Sequence, residues 1–93
     1  MFEVVHNEAE ARFEVRAEGQ LAMVEYARRG TMVSMHHTYV PPALRHHGIA
    51  AEMVRVALAW AKAEGLAVEP TCSYVAAYLR RHPDAAAVHI GPH

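Results

Sequence analysis

Alternating apolar and polar residues fill the first third of the chain, and this alternation is typical of half-buried β-strands. Glu18-Gly19-Gln20 predicts a tight turn, and Arg29-Gly30 predicts a second one. The segment 21–28 between them contains Leu, Ala and Met, which favour a helix, but the hairpin spacing on both sides favours a strand. The pattern predicts a four-stranded antiparallel meander, with a polar connection at 6–10 and strands at residues 2–4, 11–16, 21–28 and 32–38.

After Pro41-Pro42 the spacing of apolar residues changes from alternation to the period of an α-helix. From Ile49 onward the polar residues Glu52, Arg55 and Lys62 fall on one side of a helix, and small or apolar residues cover the wider remaining side. A half-buried helix is therefore predicted, and because the β-type run 35–40 precedes it, the stretch 35–63 is predicted to form a strand, a loop and a helix.

A second strand and a short helix follow. Gly65 predicts the end of the first helix, and the apolar run 66–69 predicts a buried strand that pairs in parallel with the strand before the helix, through a right-handed crossover. Ser73 is predicted to cap a helix over 74–81 that stops before Pro83, and 84–93 is predicted to be a tail. The fold class is α+β: an antiparallel meander, a βαβ unit and a short C-terminal helix.

Composition limits the classes of function. With 93 residues, of which 53% are hydrophobic, residues 1–93 are predicted to form one domain without room for a separate substrate domain. A net charge of -1 gives no general attraction to nucleic acid or to anionic membranes. We find no apolar run long enough to span a bilayer, and the chain does not begin like a secretory signal. Cys72 is the single cysteine, so it cannot form an intramolecular disulfide, which agrees with a reducing compartment. We therefore expect a cytoplasmic protein without nucleic-acid or membrane partners.

The start of the first helix is a candidate anion site. It has no Ser, Thr, Asp or Asn cap, so the N–H groups of 47–50 are available to a ligand. The helix dipole favours an anion there, Gly48 permits close approach, and Arg45 adds positive charge. A phosphate group suits this position, although a glycine before a helix is more often only a backbone feature.

Several short motifs together resemble the small, cysteine-containing members of the GCN5-related N-acetyltransferases. The resemblance extends from about Met35 to Asp84 and rests on these runs: His37-Thr38-Tyr39-Val40-Pro41, Arg45-x-x-Gly48-Ile49-Ala50, Ala57-Leu58-x-x-Ala61, Gly65-Leu66-x-Val68-x-Pro70-x-Cys72 and Tyr78-x-Arg80-Arg81-His82-Pro83. It implies a trimmed acetyltransferase fold, with acetyl-CoA as the co-substrate. It also implies that Tyr39 and Val40 border the pantetheine arm through main-chain groups, and that the pyrophosphate binds at Arg45, His46, His47, Gly48, Ile49 and Ala50.

The sequence departs from that family at two of these positions. His46 stands where a glycine is common, and a positive φ at His46 would introduce strain that glycine avoids. Tyr39 stands where the family usually has a glutamate, so a carboxylate that could orient His37 or contact the amine is missing there.

Cys72 is the candidate nucleophile. It follows a predicted strand and precedes a predicted helix, where the helix dipole lowers the pKa of a thiol and favours the thiolate. A lone cysteine is otherwise commonly buried and inert. The resemblance implies that Cys72 lies close to the acetyl group and permits an acetyl-cysteine intermediate. It also points to His37 as the acid or base, since an imidazole titrates near neutral pH, although a solvent-facing strand histidine is an equally simple interpretation.

Other polar residues receive weaker assignments. Tyr74 and Tyr78 lie one helical turn apart and can pack in the core or reach the cofactor with a hydroxyl, and Arg81 with His82 can reach its 3′-phosphate and adenine end. No metal site is predicted, because adjacent strand histidines such as His36 and His37 point to opposite faces and no known metal-binding spacing is present.

The sequence thus predicts an acetyl-CoA-dependent N-acetyltransferase. Its acceptor would be a small aliphatic amine or an amine on another protein, because so short a chain lacks the loops that build an elaborate acceptor pocket. The alternative is an acyl-CoA-binding sensor or interaction module without turnover, which would need the loop at 45–50 but not Cys72.

Overall fold

One sheet of six strands organises the chain, and its strands lie in the order in which they occur in the sequence. The structure is a computed structural model, which describes residues 2–86 and 88–89. The elements are β1 (Val5–Asn7), β2 (Arg12–Ala17), β3 (Gln20–Arg29), β4 (Met32–Tyr39), α1 (Ile49–Ala63), β5 (Ala67–Glu69), α2 (Ser73–Arg81) and β6 (Val88–His89), with 3₁₀ turns at Pro42–Leu44 and Pro83–Ala85. The strands β1–β4 are antiparallel, whereas β4, β5 and β6 are parallel.

Both helices pack on the same face of the sheet. The crossovers from β4 to β5 and from β5 to β6 run in one direction, so the usual right-handed connection places α1 and α2 together. Their buried residues join those of the strands in one core cluster, which includes Val24 and Met35 from the sheet and Met53, Leu58 and Val75 from the helices. No helix of the described residues covers the other face, and the smallest extent of the molecule, 19 Å, is that of two layers. We call this the helix-free face.

The predicted α+β order is confirmed: a four-stranded meander is followed by a βαβ unit and a short helix. The α1 helix begins at Ile49, as predicted, and Gly65 follows its end with a φ of +69°. No helix among the described residues has both the length and the apolar character needed to cross a membrane.

Two predicted boundaries were wrong. The first strand is Val5–Asn7 instead of 2–4, because His6 takes a place on the core face against Phe13. Ser73 does not cap α2 but is its first residue, and Cys72 is the N-cap.

The predicted tail at 84–93 is partly structured. Its first residues form a 3₁₀ turn, Ala86 is buried in the core, and β6 pairs with β5. Lys62 Nζ also donates a hydrogen bond to the Asp84 carbonyl oxygen. Ala85 and Ala86 are small enough to pack against the core beside α1. Residues 87 and 90–93 of the predicted tail lie outside the described residues.

An aromatic group closes the core at the β1 end of the sheet. The His6 ring stacks on Phe13 at 4.1 Å between centroids, and Trp60 of α1 meets it edge-on at 4.8 Å. His6 Nε2 and the Tyr26 hydroxyl form a 2.7 Å hydrogen bond. Burial lowers the pKa of the His6 imidazole below its ordinary value of 6.5, and the Glu8 carboxylate offsets only part of this effect. The imidazole is therefore neutral at physiological pH.

This neutral imidazole makes stability depend on pH. The unfolded chain protonates His6 at a higher pH than the folded chain does, so the free energy of unfolding falls as the pH drops below about 6.5 and the histidine contribution is intact above it. We expect His6→Gln, which keeps a partner for Tyr26 but cannot titrate, to lose less stability than wild type between about pH 8 and about pH 5. Urea unfolding of both proteins measures this, and parallel pH profiles would contradict it.

Candidate active site

A β-bulge in β4 sets the direction of the side chains at the site. Glu25 of β3 lies opposite His37 and the next residue, Tyr26, lies opposite Met35, so His36 is an extra residue in β4. The bulge places Thr38 opposite the buried Val24, on the helix-covered face. His37 consequently lies on the helix-free face, where it is exposed.

The sheet opens beside this bulge. The β4 and β5 strands pair only from Met32 to Ser34, and Pro70 follows the end of β5. The last backbone link is a 3.0 Å hydrogen bond from the Cys72 N–H to the Met35 carbonyl, which also accepts a bond from the Thr71 hydroxyl. Beyond Met35, the part of β4 that carries His37 and Thr38 has no β5 partner among the described residues. The two strands therefore splay apart beside Tyr39 and Val40, the residues that the resemblance implied to border the pantetheine arm.

A cavity of about 520 Å³ lies between the end of β4 and the start of α1. Its wall includes Thr38 from β4 and Tyr74 from α2, together with the first turn of α1. The cavity brings together seven of the residues that were predicted to bind a cofactor: Tyr39, Val40, Arg45, His46, Gly48, Ile49 and Ala50. A cavity of this size is in the range of small-molecule sites.

The loop into α1 has the backbone of an anion site. His46 and Gly48 have φ values of +69° and +75°, and no side chain caps the helix. The N–H groups of the first helical turn therefore keep their capacity for a ligand, at the positive end of the helix dipole. The positive φ considered for His46 is present, so this residue carries strain that a glycine would avoid.

Arg45 holds the two sides of the cavity together. Its Nε donates a 2.9 Å hydrogen bond to the Val40 carbonyl oxygen, which links the loop to the end of β4. This bond leaves the two terminal nitrogens of the guanidinium as further donors. The sequence predicted Arg45 only as a source of charge, and its structural role was missed because no spacing signals a bond from a side chain to a backbone carbonyl.

Cys72 contacts Thr38 across the opening. The sulfur lies 3.4 Å from the Thr38 hydroxyl oxygen, to which the thiol donates; once the thiol ionises, the hydroxyl becomes the donor. Cys72 is half-buried, and although the residue itself is not on the cavity wall, its contact Thr38 and its near neighbour Tyr74 are. The thiol is thus one side chain removed from the cavity.

The surroundings of Cys72 favour its thiolate. Burial raises the pKa of the thiol, but this effect is outweighed by the Thr38 hydroxyl and by backbone N–H groups of Val75, Tyr74 and Thr38, so the pKa lies below its ordinary value. The N–H groups of Val75 and Tyr74 belong to the first turn of α2. These N–H groups form no capping hydrogen bond with the neutral thiol. Their attraction to the sulfur is strongest when the sulfur is a negatively charged thiolate.

The remaining predicted site residues lie apart from Cys72. His37 is on the opposite face of the sheet from Thr38, and His47 lines a smaller cleft with Phe2. Tyr78 lies one turn beyond Tyr74 and packs against His82 at 4.5 Å between ring centroids, while Arg81 is exposed at the far end of α2. The assignments of His37, His47, Tyr78 and Arg81 to catalysis or cofactor binding stay predictions.

Comparisons with known proteins match this sequence to one family. A family model described as GCN5-related N-acetyl-transferase matches residues 12–88. Protein NATD1 of Xenopus tropicalis is 32% identical over 84 residues, which cover 86% of this chain and 76% of that protein. Protein NATD1 of Homo sapiens is also 32% identical, over 86% of this chain and 74% of its own length.

A solved structure shares the fold. The solution structure of a GCN5-like protein from Staphylococcus aureus aligns with a TM-score of 0.75 over 98% of this chain and 90% of that one. Its sequence identity is 20%, so the likeness is one of architecture.

Proposed function

The chain belongs to the GCN5-related N-acetyltransferase family, and we propose that it transfers the acetyl group of acetyl-CoA to a primary amine. The observation that carries this proposal is the uncapped start of α1, which opens with two left-handed residues onto a cavity of about 520 Å³ at the gap between β4 and β5. This arrangement offers unpaired N–H groups, a positive dipole end and an apolar channel in one place.

The residues at the cavity fit the chemistry of coenzyme A. The N–H groups at the start of α1 and the free nitrogens of Arg45 suit a pyrophosphate, and His46 adds an imidazole beside them. Main-chain groups of Tyr39 and Val40 at the end of β4 suit the amides of pantetheine, which would run along the strand end. The Val40 carbonyl oxygen is not among them, because it already accepts a hydrogen bond from Arg45 Nε. The apolar wall, with Leu44 and Ile49, suits the methylene groups between these amides.

Cys72 gives the transfer a covalent route. Its thiolate would attack the thioester carbonyl carbon, forming an acetyl-cysteine while the C–S bond to coenzyme A breaks and the coenzyme leaves as a thiolate that takes up a proton. The amine would then attack the acetyl-cysteine and regenerate the thiol. In the direct route the amine attacks acetyl-CoA itself, and Cys72 with Thr38 only shapes the end of the cavity.

Turnover distinguishes this proposal from a sensor that only binds acyl-CoA. We expect the protein to release coenzyme A from acetyl-CoA faster with an aliphatic amine than without one. Chromatographic separation of acetyl-CoA and coenzyme A measures this release. Saturable acetyl-CoA binding without amine-dependent release, across a panel of alkylamines and lysine-containing peptides, would support the sensor and exclude the enzyme.

His37 is proposed to accept the proton of the incoming ammonium. We expect His37→Ala to lower kcat and leave the affinity for acetyl-CoA unchanged, because the imidazole lies on the face opposite the cofactor cavity. The variant should also lose the acidic limb of the pH–rate profile. An identical acidic limb in both proteins would remove His37 from the reaction.

A further inference from the structure

The cofactor cavity ends at Thr38. Thr38, Tyr39 and Val40 line it at the end of β4, whereas the preceding residues Met35 and His36 do not. In the arrangement proposed above, pantetheine follows Val40 and Tyr39 away from the loop at the start of α1. The thioester therefore lies beside Thr38, and its acyl group lies at the inner end of the cavity.

Direct contacts close the gap between β4 and β5 at this end. Cys72 Sγ lies 3.4 Å from Thr38 Oγ1. The Cys72 N–H donates a 3.0 Å hydrogen bond to the Met35 carbonyl oxygen, and the Thr71 hydroxyl lies 3.3 Å from the same oxygen. Atoms at these separations leave no room for a methylene group between them. An acyl chain that continued past Thr38 would have to break these contacts.

Core side chains fill the space on the helix-covered face. Thr38 and Met35 both lie on this face, because their partners in β3, Val24 and Tyr26, are buried. Met35 and Val75 of α2 have no exposed surface, and both belong to the core cluster. A close-packed core accepts additional methylene groups only at a cost in free energy. The cavity is therefore closed beyond Thr38 on the helix-covered face as well.

A closed end reverses the effect of acyl chain length on binding. In an open apolar pocket, each methylene group that is removed from water strengthens binding. At the end of this cavity, an acetyl group places its methyl group against Thr38, whereas a propionyl or butyryl group needs space for further methylene groups. The Thr38 side chain and the buried residues behind it occupy that space. We therefore expect longer acyl chains to weaken binding.

The bulge in β4 gives Thr38 this position. The extra residue at His36 turns Thr38 toward the helix-covered face, where it lies between the cavity and the Cys72 sulfur. The Thr38 Cβ carries a methyl group and a hydroxyl group, so this side chain has the branched shape of valine. The volume of this one side chain sets where the cavity ends.

We propose that Thr38 determines the specificity for the acyl donor, because its side chain closes the cavity to acyl groups longer than acetyl. This inference rests on the acetyltransferase function proposed above, and it limits the donor class to short-chain thioesters of coenzyme A. It applies to both routes of transfer, since the acetyl group lies beside Thr38 whether Cys72 or the amine attacks it.

Isothermal calorimetry with unreactive analogues tests the proposal. S-ethyl-, S-propyl- and S-butyl-coenzyme A have the carbon chains of acetyl-, propionyl- and butyryl-CoA but cannot transfer them, so they measure binding alone. We expect wild type to bind S-butyl-coenzyme A at least about tenfold more weakly than S-ethyl-coenzyme A, with the S-propyl analogue between them. Thr38→Ala removes a methyl and a hydroxyl group, which is the volume that the butyl chain adds, and should reduce this difference to about threefold or less.

Two variants serve as matched controls. Thr38→Val keeps the volume of the side chain but lacks the hydroxyl, so it should discriminate between the analogues as wild type does. Ser34→Ala removes a hydroxyl from the same strand on the helix-free face, where it contacts Thr71, and should also discriminate as wild type does. Each comparison is a ratio of affinities within one protein, so a general change in affinity cancels.

Three results would overturn this inference and leave the proposed function standing. They are equal affinity of wild type for the S-ethyl and S-butyl analogues, unchanged discrimination in Thr38→Ala, and loss of discrimination in Thr38→Val. The last two would remove the volume of Thr38 as the cause. If neither coenzyme A nor any analogue binds, the proposed function fails and this inference fails with it.

Discussion

Gly48→Glu is expected to weaken acetyl-CoA binding at least about tenfold, or about 1.4 kcal/mol. Gly48 is the N-cap of α1 at a φ of +75°, and a Cβ added there would project into open space, with nothing within 4 Å. That space is where the pyrophosphate is proposed to approach the helix N–H groups. A carboxylate in it would repel the phosphates and would itself cap the helix. Isothermal calorimetry with acetyl-CoA measures the affinity.

Gly19→Glu separates this effect from backbone strain. Gly19 has a φ of +71° in the turn between β2 and β3, and a Cβ there also meets nothing within 4 Å. Both substitutions place a glutamate in a left-handed conformation, which costs roughly 1–2 kcal/mol of stability. Only Gly48→Glu should lose affinity for acetyl-CoA. Equal affinity in the two folded variants would show that the phosphates bind elsewhere.

Removal of the Cys72 sulfur is expected to have the largest effect on turnover. If the reaction proceeds through acetyl-cysteine, Cys72→Ala should lower kcat at least about a thousandfold, since loss of a nucleophile abolishes the covalent step. Wild-type protein incubated with acetyl-CoA and no amine should show an acetyl adduct on Cys72 by intact mass and peptide mapping. The adduct should disappear when an amine is added.

Cys72→Ser is the matched control for folding. Cys72 is the N-cap of α2, and serine is a good N-cap residue, so this variant should be at least as stable as wild type. It should nevertheless lose the adduct and most of the turnover, because a serine hydroxyl lacks the lowered pKa that the N–H groups give the thiol. Wild-type rates in Cys72→Ala would instead establish direct attack of the amine on acetyl-CoA.

The elements of the fold that follow from local pattern could be predicted from the sequence. The α1 helix was located by its period and the meander by alternation with turn residues, because each signal lies within a few positions. The first strand was misplaced because histidine is a polar residue, which predicted a connection at this position, whereas His6 lies in an aromatic pocket formed by Phe13, Tyr26 and Trp60. That pocket depends on residues far apart in the chain.

The predicted cofactor-binding residues lie together where they belong to one backbone segment, and they lie apart where their direction depends on strand register. The loop at 45–50 can be recognised in the sequence by its glycine and by the helix start without a capping residue. Seven of the residues predicted to bind the cofactor, from Tyr39 to Ala50, line one cavity. The direction of His37 could not be predicted, because strict alternation from Val33 and Met35 places it inward. The extra residue at His36 reverses that alternation, and it is visible only once β3 is paired with β4.

The most direct measurement is a crystal structure of the protein with millimolar acetyl-CoA. We expect density for the pyrophosphate at the N–H groups of Ile49 and Ala50, for pantetheine along Tyr39 and Val40, and for the thioester beside Thr38 and Cys72. Coenzyme A bound at another surface, or a cavity without coenzyme A density at saturating concentration in a crystal form that leaves it open, would show that this cavity does not bind acetyl-CoA.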